Sequence, residues 1–220
     1  MTVLVKLRKL LELIKWVVVF RIRHPIRFIL SYVRIKQSGL FDVSFYENER
    51  RQSARSELDP VVHYLVLGVL DGLNPHPLFD AAYYRDTYPE VGASGWTPFV
   101  HYLETGAREG LNPHPLFDAA YYRSENPEVA ASGENPIAHY LEKGAREGLN
   151  PHPLFDTRYY LRRYPDVEEA GVNPLIHCLL DGFRDGRNPH PLFDTSYYAS
   201  NHPDLIERGI NPLVHFVLFG

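Results

Sequence analysis

The chain has one cysteine, Cys178, in 220 residues. A lone cysteine excludes a disulfide framework and every cysteine-built zinc module, and it fits a reducing compartment. Long hydrophobic runs are also missing. The longest uncharged apolar stretches in the N-terminal segment are 16–20 and 28–33, well short of the roughly 18–20 residues that a membrane span needs. No paired carboxylates, no Ser-His-Asp order and no glycine-rich phosphate loop stand out, so the sequence offers no catalytic residue and calls for no cofactor. With 45% hydrophobic and 23% charged residues the chain is nonetheless composed like a folded protein.

What is present is divided unevenly. The formal net charge of −4 averages two unlike regions. Residues 1–36 carry Lys6, Arg8, Lys9, Lys15, Arg21, Arg23, Arg27, Arg34 and Lys36 against the single acid Glu12, a balance of +8; the remainder stands at −12. A basic arm on an acidic body points to an anionic partner for the arm.

Its apolar residues say which anion. Leu4, Leu7, Leu11, Ile14 and Val18 recur at three- and four-residue steps, which predicts an amphipathic helix with cations mostly off the stripe. Phe28, Ile29, Leu30, Tyr32 and Val33 form a second apolar patch beyond Pro25. Arginines in the middle of such a segment are costly at a bilayer centre, so it should lie in the interface rather than span. We therefore expect an anionic membrane surface as partner, met by Lys6, Arg8, Lys9, Lys15, Trp16, Phe20, Arg21, Arg23, Arg27 and Phe28. The alternative is that residues 1–38 cap the rest of the chain, with the stripe buried against protein. Nucleic acid is not expected, because the acidic body would repel a duplex.

The second region is periodic. The string NPHPLFD begins at Asn74, Asn112, Asn150 and Asn188, 38 residues apart each time. Between 74–111 and 112–149, 29 of 38 positions are identical without a gap, which only duplication of a structural unit explains economically. In the same register Leu40-Phe41-Asp42 begins a degenerate first copy. We read units at 39–73, 74–111, 112–149, 150–187 and an incomplete 188–220.

Each unit is punctuated in the same way. Asp80, Asp118, Asp156 and Asp194 precede a Tyr pair and should cap a first helix that ends before the next Pro. A short turn, such as 90–95, should follow. Thr97-Pro98, Asn135-Pro136, Asn173-Pro174 and Asn211-Pro212 place a capping residue and then Pro at the first position of a second helix, which Gly106 and its equivalents should close in the left-handed conformation. Pairs of short helices cannot bury both apolar faces alone, so the expected fold is all-α, a solenoid of stacked two-helix repeats.

Two residue types recur suggestively. Nine of the eleven histidines fall on two phases of the repeat, yet no unit holds a close ligand pair of the kind structural zinc sites use, so no metal is expected. The tyrosine pairs could stack on sugar rings, and the second of each pair, Tyr84, Tyr122, Tyr160 and Tyr198, is the candidate for contact with a glycan or partner; core or seam packing is the plainer role.

The segments LFDTRYYLRRYPDVEEAGVNPLIHCLLDGFRDGRNPHPLFD and NPIAHYLEKGAREGLNPHPLFD resemble a bacterial repeat of the form FDxxYYxxxNPDVxxxGxNPLxHYLxxGxxEGRxPxPLFD. That repeat accompanies glycosyltransferases of cell-surface polysaccharide synthesis, and the match covers residues 40–220. The basic arm on an acidic array, taken with this resemblance, leads us to expect a non-catalytic scaffold or docking region peripheral to the cytoplasmic side of the inner membrane; the resemblance implies a setting in polysaccharide synthesis, with a glycosyltransferase, another polysaccharide-assembly protein or a glycan as partner. A carbohydrate-binding module, or the leading part of a longer transferase, are the alternatives. No donor-binding or catalytic residue can be carried over from those enzymes.

Overall fold

The computed structural model describes residues 11, 13–18, 22–50 and 57–220. Lys6, Arg8, Lys9, Phe20 and Arg21 lie outside the described residues. Among those described the fold is all-α, with no strand. Residues 13–18 are helical, and helix Pro25–Ser38 follows, with proline at its start and Gly39 in the left-handed conformation at its end.

The expected caps form. The carboxylates of Asp42, Asp80, Asp118, Asp156 and Asp194 accept from the N–H three residues on, at 2.8–2.9 Å, and open helices Val43–Glu49, Ala81–Thr87, Ala119–Glu125, Thr157–Arg163 and Thr195–Asn201. A second cap is supplied from upstream: the Asn74, Asn112, Asn150 and Asn188 amide oxygens accept from the first N–H of the same helices. Asp59, Thr97, Asn135, Asn173 and Asn211 cap the next helices, each with Pro at the first position.

Two local expectations are corrected. The segment expected as a turn between the two helices is itself helical, at Glu90–Ser94, Pro127–Ser132, Pro165–Glu169 and Asp204–Glu207. Acidic residues in its first turn suit the helix dipole. One buried aliphatic, Val91, Val129, Val167 or Leu205, pins it to the core. The second correction concerns Gly106, which does not close its helix: its φ is −58°. The chain instead runs through a wide π turn, Tyr102–Gly106, into Ala107–Glu109, and Gly110, at φ 79°, is the left-handed terminator. Gly106 is glycine for another reason, since a Cβ there would collide with the Tyr84 hydroxyl.

One cluster of buried residues runs from Ile35 to Leu213 and is rich in aromatics, among them Phe79, Tyr84, Phe99, Tyr102, Phe117, Tyr122, Tyr140, Phe155 and Tyr160. Backbone bonds cross from unit to unit. The N–H groups of Asp42, Asp80, Asp118 and Asp156 donate to the carbonyls of Pro75, Pro113, Pro151 and Pro189 at 2.9–3.1 Å. Helix Pro25–Ser38 packs on the second-helix segments of units 1 and 2.

Candidate functional site

The recurring tyrosines and histidines form one internal device. Tyr46, Tyr84, Tyr122, Tyr160 and Tyr198 each place a hydroxyl 2.8–3.0 Å from Nδ1 of the histidine seventeen residues on, His63, His101, His139, His177 and His215. In the first four units the same hydroxyl lies against a helical glycine, Gly68, Gly106, Gly144 or Gly182, with no room for a side chain. The bond ties the first helix of a unit to its second. Burial drives the Tyr84, Tyr122 and Tyr160 hydroxyls far above the usual phenol range, so they remain protonated.

This placement corrects the expectation of a glycan contact. Tyr84, Tyr122 and Tyr160 are fully buried, and Tyr198 is half-buried with its hydroxyl on His215. The ring exposed to solvent in the last unit is the first of the pair, Tyr197, at 71%. Adjacent helical positions point about 100° apart, and the core takes the second ring of each pair.

The histidines of the NPHP segments have a different task. Nδ1 of His76, His114, His152 and His190 accepts from the N–H of Leu78, Leu116, Leu154 and Leu192 at 2.9–3.1 Å, locking a tight turn that Phe79 and its equivalents close on the histidine carbonyl. An accepting Nδ1 requires the neutral ring with its proton on Nε2. Burial favours the same form and lowers His76 and His114 to about 4. Among the described residues no three His, Cys, Asp or Glu side chains group as metal ligands would. The Cys178 thiol, pushed up to about 12 by burial, is held in its unreactive form.

The N-terminal region is two-sided. Leu13, Phe28 and Val62 are buried together, and Trp16, Val17, Ile22, Ile29 and Tyr32 pack on them. Phe28 is thus a core residue and not a membrane contact. Arg27 is also engaged with protein: its guanidinium donates to the Gly95 carbonyl at 2.9 Å and stacks on Trp96, 4.6 Å from the ring centre. Arg34 pairs with Glu104, and Lys36 with Asp59 at 3.3 Å. Burial, and after it the neighbouring Asp59 carboxylate, raise the Tyr32 phenol to about 12.

The other side is open. Leu11, Ile14 and Val18, the described part of the expected stripe, are exposed. Ile26, Leu30 and Val33, at four- and three-residue steps on helix Pro25–Ser38, are exposed as well. Lys15 and Arg23 are exposed alongside. An open recess of about 530 Å³ is lined by Arg23, His24, Pro25, Ile26, Arg27, Leu30 and Trp96. Ile26 and Trp96 were not among the residues expected here; the 26/30/33 spacing was the available signal for the first, and nothing local marks the second. Among the described residues no helix is long and apolar enough to cross a membrane. Comparison with protein-family models, curated proteins and solved structures gives no match.

Proposed function

We propose that the protein is a non-catalytic helical-repeat scaffold, held at an anionic membrane surface by its N-terminal helices and serving cell-surface polysaccharide assembly. In this reading residues 39–220 are a solenoid of 38-residue units. The backbone bonds from Asp to the next unit's Pro and the unbroken core from Ile35 to Leu213 support it. The glycan setting rests on the resemblance of residues 40–220 to the transferase-associated repeat, and the placement on the cytoplasmic side of the inner membrane on the basic arm of residues 1–36.

One observation carries the membrane reading. Residues 1–36 hold nine cations and one acid, and among the described residues six aliphatic side chains there, Leu11, Ile14, Val18, Ile26, Leu30 and Val33, are exposed while Leu13, Phe28 and their neighbours pack on the protein. Each such side chain that leaves water is worth about 1.5–3 kcal/mol, and each nearby Lys or Arg adds about 1 kcal/mol at an anionic leaflet. Capping and lipid contact are then not rivals, because opposite faces perform them.

The test is co-sedimentation of the full chain with vesicles of phosphatidylcholine alone or mixed with phosphatidylglycerol. Binding to the anionic vesicles is expected, weakened at about 0.5 M salt by screening and abolished in Ile26→Asp/Leu30→Asp. Equal binding by that variant, or none by the native chain, removes the anchoring role. Loss of the gene is expected to lower surface polysaccharide in the source bacterium; an unchanged amount removes the glycan setting.

A further inference from the structure

The cations along helix Pro25–Ser38 are in two states. Near its end they are neutralised within the protein, Arg34 by Glu104 and Lys36 by Asp59. Around its start, Arg23 and Arg27 have no ion pair among the described residues. Arg27 is nonetheless fixed in place. Its guanidinium gives one N–H to the Gly95 carbonyl and lies against the Trp96 ring, two neutral groups that orient the fork without cancelling its charge. The repeat offers a comparison. Trp96 stands in the register of Glu134 in unit 3, where the carboxylate is ion-paired with Lys143. A glutamate at position 96 would put a carboxylate beside Arg27, whereas the tryptophan holds the guanidinium and leaves it positive.

Both arginines and Trp96 line the open recess of about 530 Å³, together with Ile26 and Leu30 of the exposed stripe. A smaller recess of about 200 Å³ shares the two arginines, His24 and Trp96. No Asp or Glu lines either one. Two uncompensated guanidiniums suit an anion carrying two charges, and the exposed isoleucine and leucine beside them suit an apolar tail.

We propose that this recess is a binding site for a lipid phosphomonoester, a headgroup of the phosphatidic acid type. The inference rests on the membrane reading and narrows it from any anionic surface to one headgroup chemistry. A phosphomonoester carries about −1.5 to −2 charges at pH 7 and three strong acceptor oxygens; the phosphodiester of phosphatidylglycerol carries a single charge. Charge-assisted bonds from Arg23 and Arg27 favour the fully ionised monoester further. Ile26 and Leu30 favour the lipid over free phosphate, because only the lipid brings apolar surface to cover them.

The test is co-sedimentation of the full chain with phosphatidylcholine vesicles containing phosphatidic acid or, at equal surface potential, phosphatidylglycerol. The phosphatidic acid vesicles are expected to bind about tenfold more tightly. Arg27→Lys, which keeps the charge and loses the fork, should bring the ratio toward one. Arg23→Gln, at an exposed position, should do the same and serves should Arg27→Lys lower the thermal melt. Equal affinity for the two vesicles overturns the site and leaves the anchoring role standing, as does a preference that survives both substitutions; no binding to either vesicle removes the anchoring role and the site with it. Calorimetric titration with inorganic phosphate should give no binding heat. Free phosphate binding as tightly as the vesicles do would assign the recess to a soluble anion and overturn the lipid.

Discussion

The repeat units and the N-terminal helices use apolar side chains differently. In units 2–4 the central apolar positions share one fate, copied at every 38th residue: the second tyrosine of each pair, the Phe of LFD and the aliphatic of the middle helix are buried in each. Among the described residues of 11–38 apolar side chains lie on both sides of the helices, and only one side is packed. The difference teaches that repetition sorts residues by fate. A segment present once does not, and there the charge beside each apolar residue carries the information instead.

Acid should break the repeat side first and most. His76 and His114 are neutral and buried, with values near 4 against the usual 6.5. Asp42 and Asp80 oppose the lowering without overcoming burial. The unfolded chain therefore binds more protons between these two values, so stability is full above about pH 6.5, falls as pH drops toward 4 and levels off below. On the order of 3 kcal/mol for each histidine is at stake. Urea unfolding at stepped pH measures it, and His114→Asn, whose amide oxygen can accept from Leu116 without titrating, should flatten the curve.

Glycine substitutions sharpen the contrast inside a unit. Gly144→Ala drives a methyl into the Tyr122 hydroxyl and should cost about 3 kcal/mol. Gly92→Ala, in helix Glu90–Ser94 with nothing near its Cβ, should stabilise by about 0.5–1 kcal/mol. Denaturant midpoints report both. Should the two variants shift together, close approach is not what selects glycine at position 144.

Removing one hydroxyl is a smaller step. Tyr122→Phe leaves His139 Nδ1 without its partner, at about 1–2 kcal/mol. Tyr197→Phe, on the exposed ring, should leave the thermal midpoint where it was. Small too is the stability effect of Leu30→Asp, within about 0.5 kcal/mol because Leu30 is exposed. A large destabilisation there would mean that protein covers this face.

Much of this was legible because turn chemistry is local. Asp before the Tyr pair, and Thr or Asn before Pro, specify helix starts through bonds spanning two or three residues. The middle helix was missed because five or six residues with one buried aliphatic carry too little periodicity to be told from a turn. Gly106 was misplaced because its need is set by Tyr84, twenty-two positions earlier, whereas Gly110 satisfies the local rule. The candidate glycan residues failed for a related reason: sequence says that two neighbouring tyrosines point apart, but the glycine that receives one hydroxyl decides which of them is inside. The open stripe at Leu11, Ile14 and Val18 was visible as spacing. That Phe28 and Arg27 face protein depends on Val62, Gly95 and Trp96, all far along the chain.

The aspartates that begin the first helices have a consequence for how the molecule comes apart. A single residue caps its own helix through the carboxylate and grips the following unit through its amide. A unit in the middle therefore cannot melt without loosening its neighbour's grip. On the proposed serial stacking, the chain when pulled or heated should unzip from one end, one brick after another, and a fault in the centre should be felt on both flanks.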